Sequence, residues 1–354
     1  MLQFTSANHL TEKQYHVSSW LFIRLIALIY LIAFTSLSAQ ITGLVGEQGI
    51  LPVSIFLQNA QHALGNIAWF RIPTLFWIDT SDISLLLICY AGMAFSFLLF
   101  IGRYQLLSSI CLFILYLSLY HGGQIFLNFQ WDYLLLEAGF LTILLITGYS
   151  RLVIFLFHWL LFRLRFLSGL SKTIDEAWMN LSALEYYFET QPLPHIGAWY
   201  FHQLPEWLLR VGTGFTLFVE LIVPFFIFLP RKFRLFAAFS TIALQLMIIA
   251  SSNHNWINLL TIGLCLFLLD DRLMASITPK FISEKAGRQK LPSQTAKLVT
   301  LVFAAVIFST SIAIALRVFT NVHTPELFSW TRAYGFGNAY HVFPTMQTQR
   351  YEFV

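Results

Sequence analysis

The stretch SGLSKTIDEAWMNLSALEYYFETQPLPHIGAWYFHQLP, residues 168–205, is a long polar interruption between two intensely apolar segments. It carries charges, many aromatic side chains and the two prolines of QPLP. Thr173 and Glu176 form a capping box that predicts the start of a helix, and apolar residues follow at helical spacing. QPLP must end that helix, because proline disfavours helical geometry in the residue before it. We therefore predict an amphipathic helical insert outside the bilayer.

The composition of the whole chain shows what lies around this insert. Of the 354 residues, 57% are hydrophobic and 11% are charged, whereas soluble domains carry about 25% charged residues. A surface so poor in charge is not soluble, and apolar runs of about 20 residues, the length that crosses a bilayer as a helix, recur along the chain. The fold class is therefore an all-α polytopic membrane protein.

We predict a bundle of about nine transmembrane helices. The predicted spans are residues 18–39, 83–101, 105–121, 132–148, 152–167, 206–229, 233–250, 255–270 and 296–317. With the N-terminus in the cytoplasm, twelve Lys and Arg residues fall in inner segments and four in outer ones, as the positive-inside rule requires. Residues 1–317 then form a transmembrane domain with the insert outside and a cytoplasmic linker at 271–295. Residues 318–354 form a short extramembrane C-terminal tail on the outer side.

Polar side chains inside the predicted spans are the second feature, because such groups are costly in a membrane and often functional. Counting outward from the turn near residue 150 places Glu137 level with Arg163. Other polar residues of similar depth come from different helices, which predicts an outward-facing pocket. The predicted pocket consists of Asp132, Glu137, Arg163, Arg165, Arg210, Gln245 and Asn258.

Structural interpretations of these groups stay open beside the functional one. In the structural interpretation, Glu137 forms an ion pair with Arg163 or Arg165 that fixes helix packing. Depth also pairs Glu220 with Arg24, and we interpret that pair as structural. Asp132 is predicted to cap its helix.

The insert also offers a surface on which another protein could dock. The predicted docking surface consists of Glu189, Gln191, Pro192, Pro194, Trp199, Tyr200, His202 and Gln203. His195 and His202 do not have the convergent spacing that a metal site needs. No nucleotide-binding, zinc-protease or serine-hydrolase motif is present in the sequence. We therefore predict no catalytic residue, no metal and no cofactor.

Six segments resemble the lipase maturation factor family of polytopic membrane proteins. They are GLVGEQGILP (43–52), NFQWDYLLLEAGF (128–140), SALEYYFETQPLPHIGAWYFHQLPEW (182–207), ELIVPFFIFLPRKFR (220–234), NHNWINLLTIGLCLFLLDD (253–271) and AYGFGNAYHVF (333–343). The resemblance implies a chaperone-like role in protein maturation, in the endoplasmic reticulum membrane of a eukaryote or the inner membrane of a bacterium. Family members continue into a further extramembrane domain. We therefore interpret residues 318–354 as the start of a C-terminal domain that is missing here.

Two functional hypotheses follow. The first is a non-enzymatic factor that assists secreted clients such as lipases on the outer face of the membrane, with the lipid bilayer and the client as partners and no nucleic acid. A more distant likeness to vitamin K-dependent carboxylase and DoxX-like membrane proteins implies the alternative. This alternative is a membrane enzyme acting on a lipid or quinone-like substrate in the polar pocket. We prefer the first hypothesis.

Overall fold

The structure, a computed structural model, describes residues 15–193, 195–286, 291–320 and 326–349. Its regular structure in these ranges is entirely helical, which confirms the all-α class. The helices are α1 (His16–Ser38), α2 (Ile41–Val45), α3 (Val53–Leu64), α4 (Ala68–Arg71), α5 (Asp82–Ile101), α6 (Gln105–Gly122), α7 (Gln130–Thr147), α8 (Arg151–Lys172), α9 (Glu176–Met179), α10 (Ala183–Tyr187), α11 (Ile196–His202), α12 (Glu206–Leu221), α13 (Val223–Phe226), α14 (Arg231–Ser251), α15 (Ile257–Cys265), α16 (Asp271–Ile277), α17 (Lys280–Ala286), α18 (Gln294–Thr320) and α19 (Glu326–Ala333).

Seven of the described helices are long and apolar enough to cross a membrane, so the chain is a multi-pass membrane protein. They are α1, α5, α6, α7, α8, α14 and α18 as far as Val318. The predicted count of about nine transmembrane helices is not confirmed, because two of the predicted spans are not single long helices. The span 206–229 divides into α12 and α13, since Pro224 has no N–H with which to continue the helix. The span 255–270 contains only the short apolar helix Ile257–Leu268.

The chain divides into two compact units, and the boundary falls inside α8. Unit 1 comprises Met1–Leu156 and Thr278–Asn338. Unit 2 comprises Phe157–Ile277 and Ala339–Val354, and it contains the whole insert.

In unit 1 the first long helices pack in chain order, α1 on α5, α5 on α6 and α6 on α7. Their shared core is aromatic. The rings of Tyr30, Phe34 and Tyr116 are fully buried, and their centroids lie 5.7–6.1 Å apart. Two of the three ring pairs meet edge to face, an arrangement that suits the charge distribution of aromatic rings.

The turn between α5 and α6 shows how such neighbours are joined. Gly102 has a φ of 82°, a left-handed conformation that costs glycine little. Its N–H donates to the Leu99 carbonyl, and the next N–H, of Arg103, donates to the Leu98 carbonyl. This closure ends α5 and leaves three residues before α6.

In unit 2 the helix α14 packs on α11, α12, α13 and α15, and α10 packs on α12. The one amphipathic helix predicted before QPLP is two short helices, α9 and α10, and a third, α11, follows QPLP. The capping prediction was wrong because the Thr173 hydroxyl donates to the Leu170 carbonyl, whereas the Asp175 carboxylate accepts the Trp178 N–H and opens α9. Leu181 then turns left-handed, with a φ of 61°, and separates α9 from α10.

Candidate functional site

A buried cluster of charges lies at the centre of unit 2. Arg165 Nη2 lies 2.8 Å from Glu220 Oε1, and Lys172 Nζ lies 2.7 Å from Glu220 Oε2. All three side chains are at most 5% exposed. Depth in the sequence predicted Arg24 as the partner of Glu220. The structure instead pairs this carboxylate with two cations of α8.

Helix geometry explains how these groups meet. Arg165 and Lys172 are seven residues apart on α8, which is about two turns, so both side chains lie on one face. Gly169 lies between them, and a Cβ at this position would come within 2.8 Å of the Glu220 Cβ. The missing side chain of Gly169 therefore lets α12 approach α8 closely enough for both ion pairs.

Adding a side chain at position 169 is therefore expected to destabilise the protein. Gly169→Val should cost about 1–3 kcal/mol, and Gly169→Ala somewhat less, because each atom added there meets the backbone of α12. Thermal unfolding of the purified protein, followed by fluorescence-detected size exclusion, measures the effect. Gly43→Ala is the matched control, because a Cβ there meets nothing within 4 Å. Equal melting temperatures for the two alanine variants would contradict the close approach.

Beside the charge cluster lies a cavity of about 60 Å³. Its lining includes Arg165, Gln245 and Asn258, so the structure brings together these three members of the predicted pocket. The remaining lining residues are Leu164, Lys172, Trp178, Leu184, Tyr187, Thr216, Glu220, Ile248, His254, Ile257, Thr261, Val342 and Phe343. All of them belong to unit 2.

Two other predicted pocket residues of unit 2 lie outside this lining. Arg163 is buried, and its guanidinium carbon lies 5.9 Å from the centre of the Tyr340 ring. The Arg210 side chain is 53% exposed and forms surface ion pairs with Glu206 at 2.5 Å and Glu185 at 3.8 Å. Arg210 is therefore a surface residue of unit 2.

The predicted acidic residues of unit 1 are buried and have partners there. Asp132 accepts the Tyr116 hydroxyl at 2.6 Å and the Phe129 N–H at 3.1 Å, which confirms that it caps its helix. Glu137 accepts the side-chain amide of Asn338 at 3.4 Å. Both carboxylates therefore accept hydrogen bonds from residues of unit 1.

The rim of the unit 2 cavity includes a small polar network. The Tyr187 hydroxyl lies 2.8 Å from Ser252 Oγ and 2.5 Å from His254 Nε2. Burial raises the pKa of Tyr187 and lowers the pKa of His254 to about 4. Both rim side chains are therefore uncharged near neutral pH.

Folding stability is expected to fall as the pH falls from about 6.5 to 4, because unfolded chains protonate histidine near pH 6.5 and the folded protein protonates His254 only near pH 4. In that window the unfolded state binds more protons, so this residue contributes a loss of at most about 1.4 kcal/mol per pH unit. Melting temperatures measured across the window should decline less steeply for His254→Phe than for the unchanged protein. Parallel curves would show that His254 does not carry the effect.

Only some side chains of the predicted docking surface are exposed. Trp199 and Tyr200 are each 63% exposed, and Pro192 and Gln203 are exposed as well. The other residues of the predicted docking surface differ in their exposure and contacts. Glu189 is exposed and lies 3.0 Å from the half-buried His202, Gln191 is buried and donates to the Ser251 carbonyl, and Pro194 lies outside the described residues.

Several residues of the cavity were not among the predicted site residues. Lys172, Trp178, Tyr187, Glu220 and His254 line it beside the predicted members. The sequence carries a signal for Lys172, because it lies two helical turns after Arg165. The signal was missed because the predicted span ended at residue 167. Among the described residues, no group of three or more His, Cys, Asp or Glu side chains is arranged to hold a metal ion.

The chain is similar to known proteins over most of its length. A family profile described as "Lipase maturation factor transmembrane domain" matches residues 17–276. "Lipase maturation factor 2" of Xenopus laevis is 42% identical over 70% of this chain and 38% of that protein, and the protein of that name in Xenopus tropicalis is 37% identical over 84% and 46%. "Lipase maturation factor 1" of Mus musculus is 36% identical over 78% and 50%. No solved structure matches. The chain thus spans half or less of the length of these relatives.

Proposed function

Because the chain belongs to the lipase maturation factor family, we propose that it is a membrane-embedded factor that assists the folding of secreted proteins such as lipases. The observation that carries the proposal is the family match over residues 17–276, which includes the whole insert. The names of the matched relatives are those of maturation factors. They favour this function over the alternative of a carboxylase-like or DoxX-like enzyme.

The proposed location is the endoplasmic reticulum membrane in a eukaryote or the inner membrane in a bacterium, with the insert on the luminal or periplasmic side. The excess of basic residues in the opposite segments supports this orientation. A cysteine introduced at Glu189, which is exposed, tests the orientation. A membrane-impermeant maleimide added from the outer side should label it.

Within the insert, the exposed apolar side chains are the proposed contact with the client. Leu193, Ile196, Trp199 and Tyr200 are 63–77% exposed, and we call them the insert surface. The rings of Trp199 and Tyr200 lie 5.0 Å apart and meet edge to face. Rigid aromatic groups of this kind are the usual anchors of protein interfaces, and a partly folded client exposes apolar segments that match them.

Truncating the insert surface is expected to lower the maturation of a client. In cells that lack their own factor, the double variant Trp199→Ala, Tyr200→Ala should reduce secreted lipase activity several-fold, since such anchors contribute about 2 kcal/mol or more each. The amount of the factor in the membrane should not change, because these side chains are not part of the core.

The control is Phe281→Ala, an aromatic residue that is 56% exposed on α17 in the predicted cytoplasmic linker. It should leave secreted lipase activity intact. Full secretion by the double variant at normal abundance would remove the insert surface from the proposal. Full secretion by cells that lack the factor altogether would overturn the proposed function itself.

A further inference from the structure

The unit 2 cavity is lined by hydrogen-bond donors that have no acceptor among the described residues. They are Arg165 Nε, Trp178 Nε1, Gln245 Nε2 and Asn258 Nδ2. The four residues are only 1–4% exposed. A buried donor without a partner is costly, yet four of them from four different segments meet at one cavity. The Arg165 and Trp178 donors do not depend on how the two amides are oriented.

The charge around the cavity is also unbalanced. Its lining contains two cations, Arg165 and Lys172, and one carboxylate, Glu220. Lys172 is fully engaged, because Nζ contacts Glu220 and donates to the Val342 carbonyl at 2.6 Å. Arg165 shares the same carboxylate through Nη2 and keeps Nε for another acceptor. The lining therefore carries one net positive charge in a place that water hardly reaches.

We propose that this cavity binds one monoanionic oxygen group, a carboxylate or a phosphate. Such a group is an acceptor of several hydrogen bonds and carries the charge that the lining lacks. The volume of about 60 Å³ holds about four water-sized groups, which fits the head of a ligand and not an acyl chain. A small free anion or the head group of a fatty acid or anionic lipid supplies the same chemistry. This inference stands apart from the proposed maturation function.

The test uses the purified full chain in phosphatidylcholine nanodiscs and follows its melting temperature. The free-anion probes are acetate and inorganic phosphate. The amphiphile probes are oleate and nanodiscs that contain phosphatidylglycerol, with methyl oleate as the uncharged control. A bound anion should raise the melting temperature, because it binds only the folded state.

Two variants remove one donor each without changing the charge. Trp178→Phe on α9 and Asn258→Leu on α15 should each weaken anion binding about tenfold or more, since a hydrogen bond to a charged group is lost. The probe-induced shift of each variant is measured against the same variant without a probe, because the smaller buried ring of Trp178→Phe lowers the stability by itself. Thr261→Val is the matched control, since the Thr261 hydroxyl lines the cavity but already donates to the Ile257 carbonyl. It should bind normally.

The probe that raises the melting temperature identifies the source of the anion. A shift with acetate or phosphate, weakened in both variants, identifies a free anion. A shift only with oleate or phosphatidylglycerol, weakened in both variants and absent with methyl oleate, identifies a head group. The proposal is overturned if no probe stabilises the unchanged protein. It is also overturned if both donor variants respond as strongly as Thr261→Val.

Discussion

Glu220→Gln is expected to lower the free energy of unfolding by about 3–5 kcal/mol, because it leaves two cations buried without their carboxylate. Arg165 and Lys172 lie within 2.8 Å of this one side chain, and neither can reach water. The loss should be measured by unfolding the protein in mixed micelles of increasing denaturing-detergent fraction.

The same helix provides the control. Glu206→Gln removes the partner of Arg210, but that pair is more than half exposed and should be worth less than about 1 kcal/mol. A further variant separates the value of the ion pairs from the penalty of breaking them. Replacing Arg165, Lys172 and Glu220 together by Met, Met and Leu should recover most of the stability, since no buried charge remains. Equal losses for Glu220→Gln and Glu206→Gln would show that the cluster is hydrated.

Asp132→Ala is expected to cost about 2–4 kcal/mol in unit 1. It leaves the buried Tyr116 hydroxyl and the Phe129 N–H without an acceptor, at about 1–3 kcal/mol for an unpaired buried group and about 1 kcal/mol for the lost cap. Asp132→Asn keeps an acceptor oxygen and should cost less. Unfolding in mixed micelles again gives the numbers.

A double-mutant cycle with Tyr116→Phe isolates the shared hydrogen bond. The two changes together should cost less than their sum, because the first already breaks the bond that the second removes. Ser81→Ala is the matched control, a cap of α5 in a less buried place that accepts the Ser84 N–H at 3.3 Å, and it should cost about 1 kcal/mol. Strict additivity of the two changes would mean that the 2.6 Å contact does not stabilise the fold.

The long helices could be predicted from the sequence because each is a continuous apolar run, and hydrocarbon requires backbone groups to bond within their own segment. The short helices of the insert could not be predicted in this way, because single hydrogen bonds decide where they begin. Thr173 and Asp175 are both good caps, and only the fold decides that Asp175 faces the Trp178 N–H. Sequence spacing does not distinguish one long helix from short helices on the same side.

The site was predicted in part for a similar reason. Polar residues inside apolar runs identified Arg165, Gln245 and Asn258, which share one cavity. Glu220 was given the wrong partner because the depth count started every helix at the membrane surface. Glu220 is 14 residues after the start of α12 at Glu206, about 21 Å along the axis, and it still contacts Lys172 at the end of α8. The beginning of α12 therefore extends well beyond α8.

The contact between Lys172 and the Val342 carbonyl sets the order in which unit 2 can be completed. Val342 and Phe343 form part of the cavity wall, and the Val342 and Met346 N–H groups bond to Ser168 and Asp175. These residues are synthesised after all seven long helices of the described chain. Until they arrive, Lys172 lacks its carbonyl and the cavity lacks a side. During synthesis the wall of the cavity is thus incomplete until the last residues of the described chain close it.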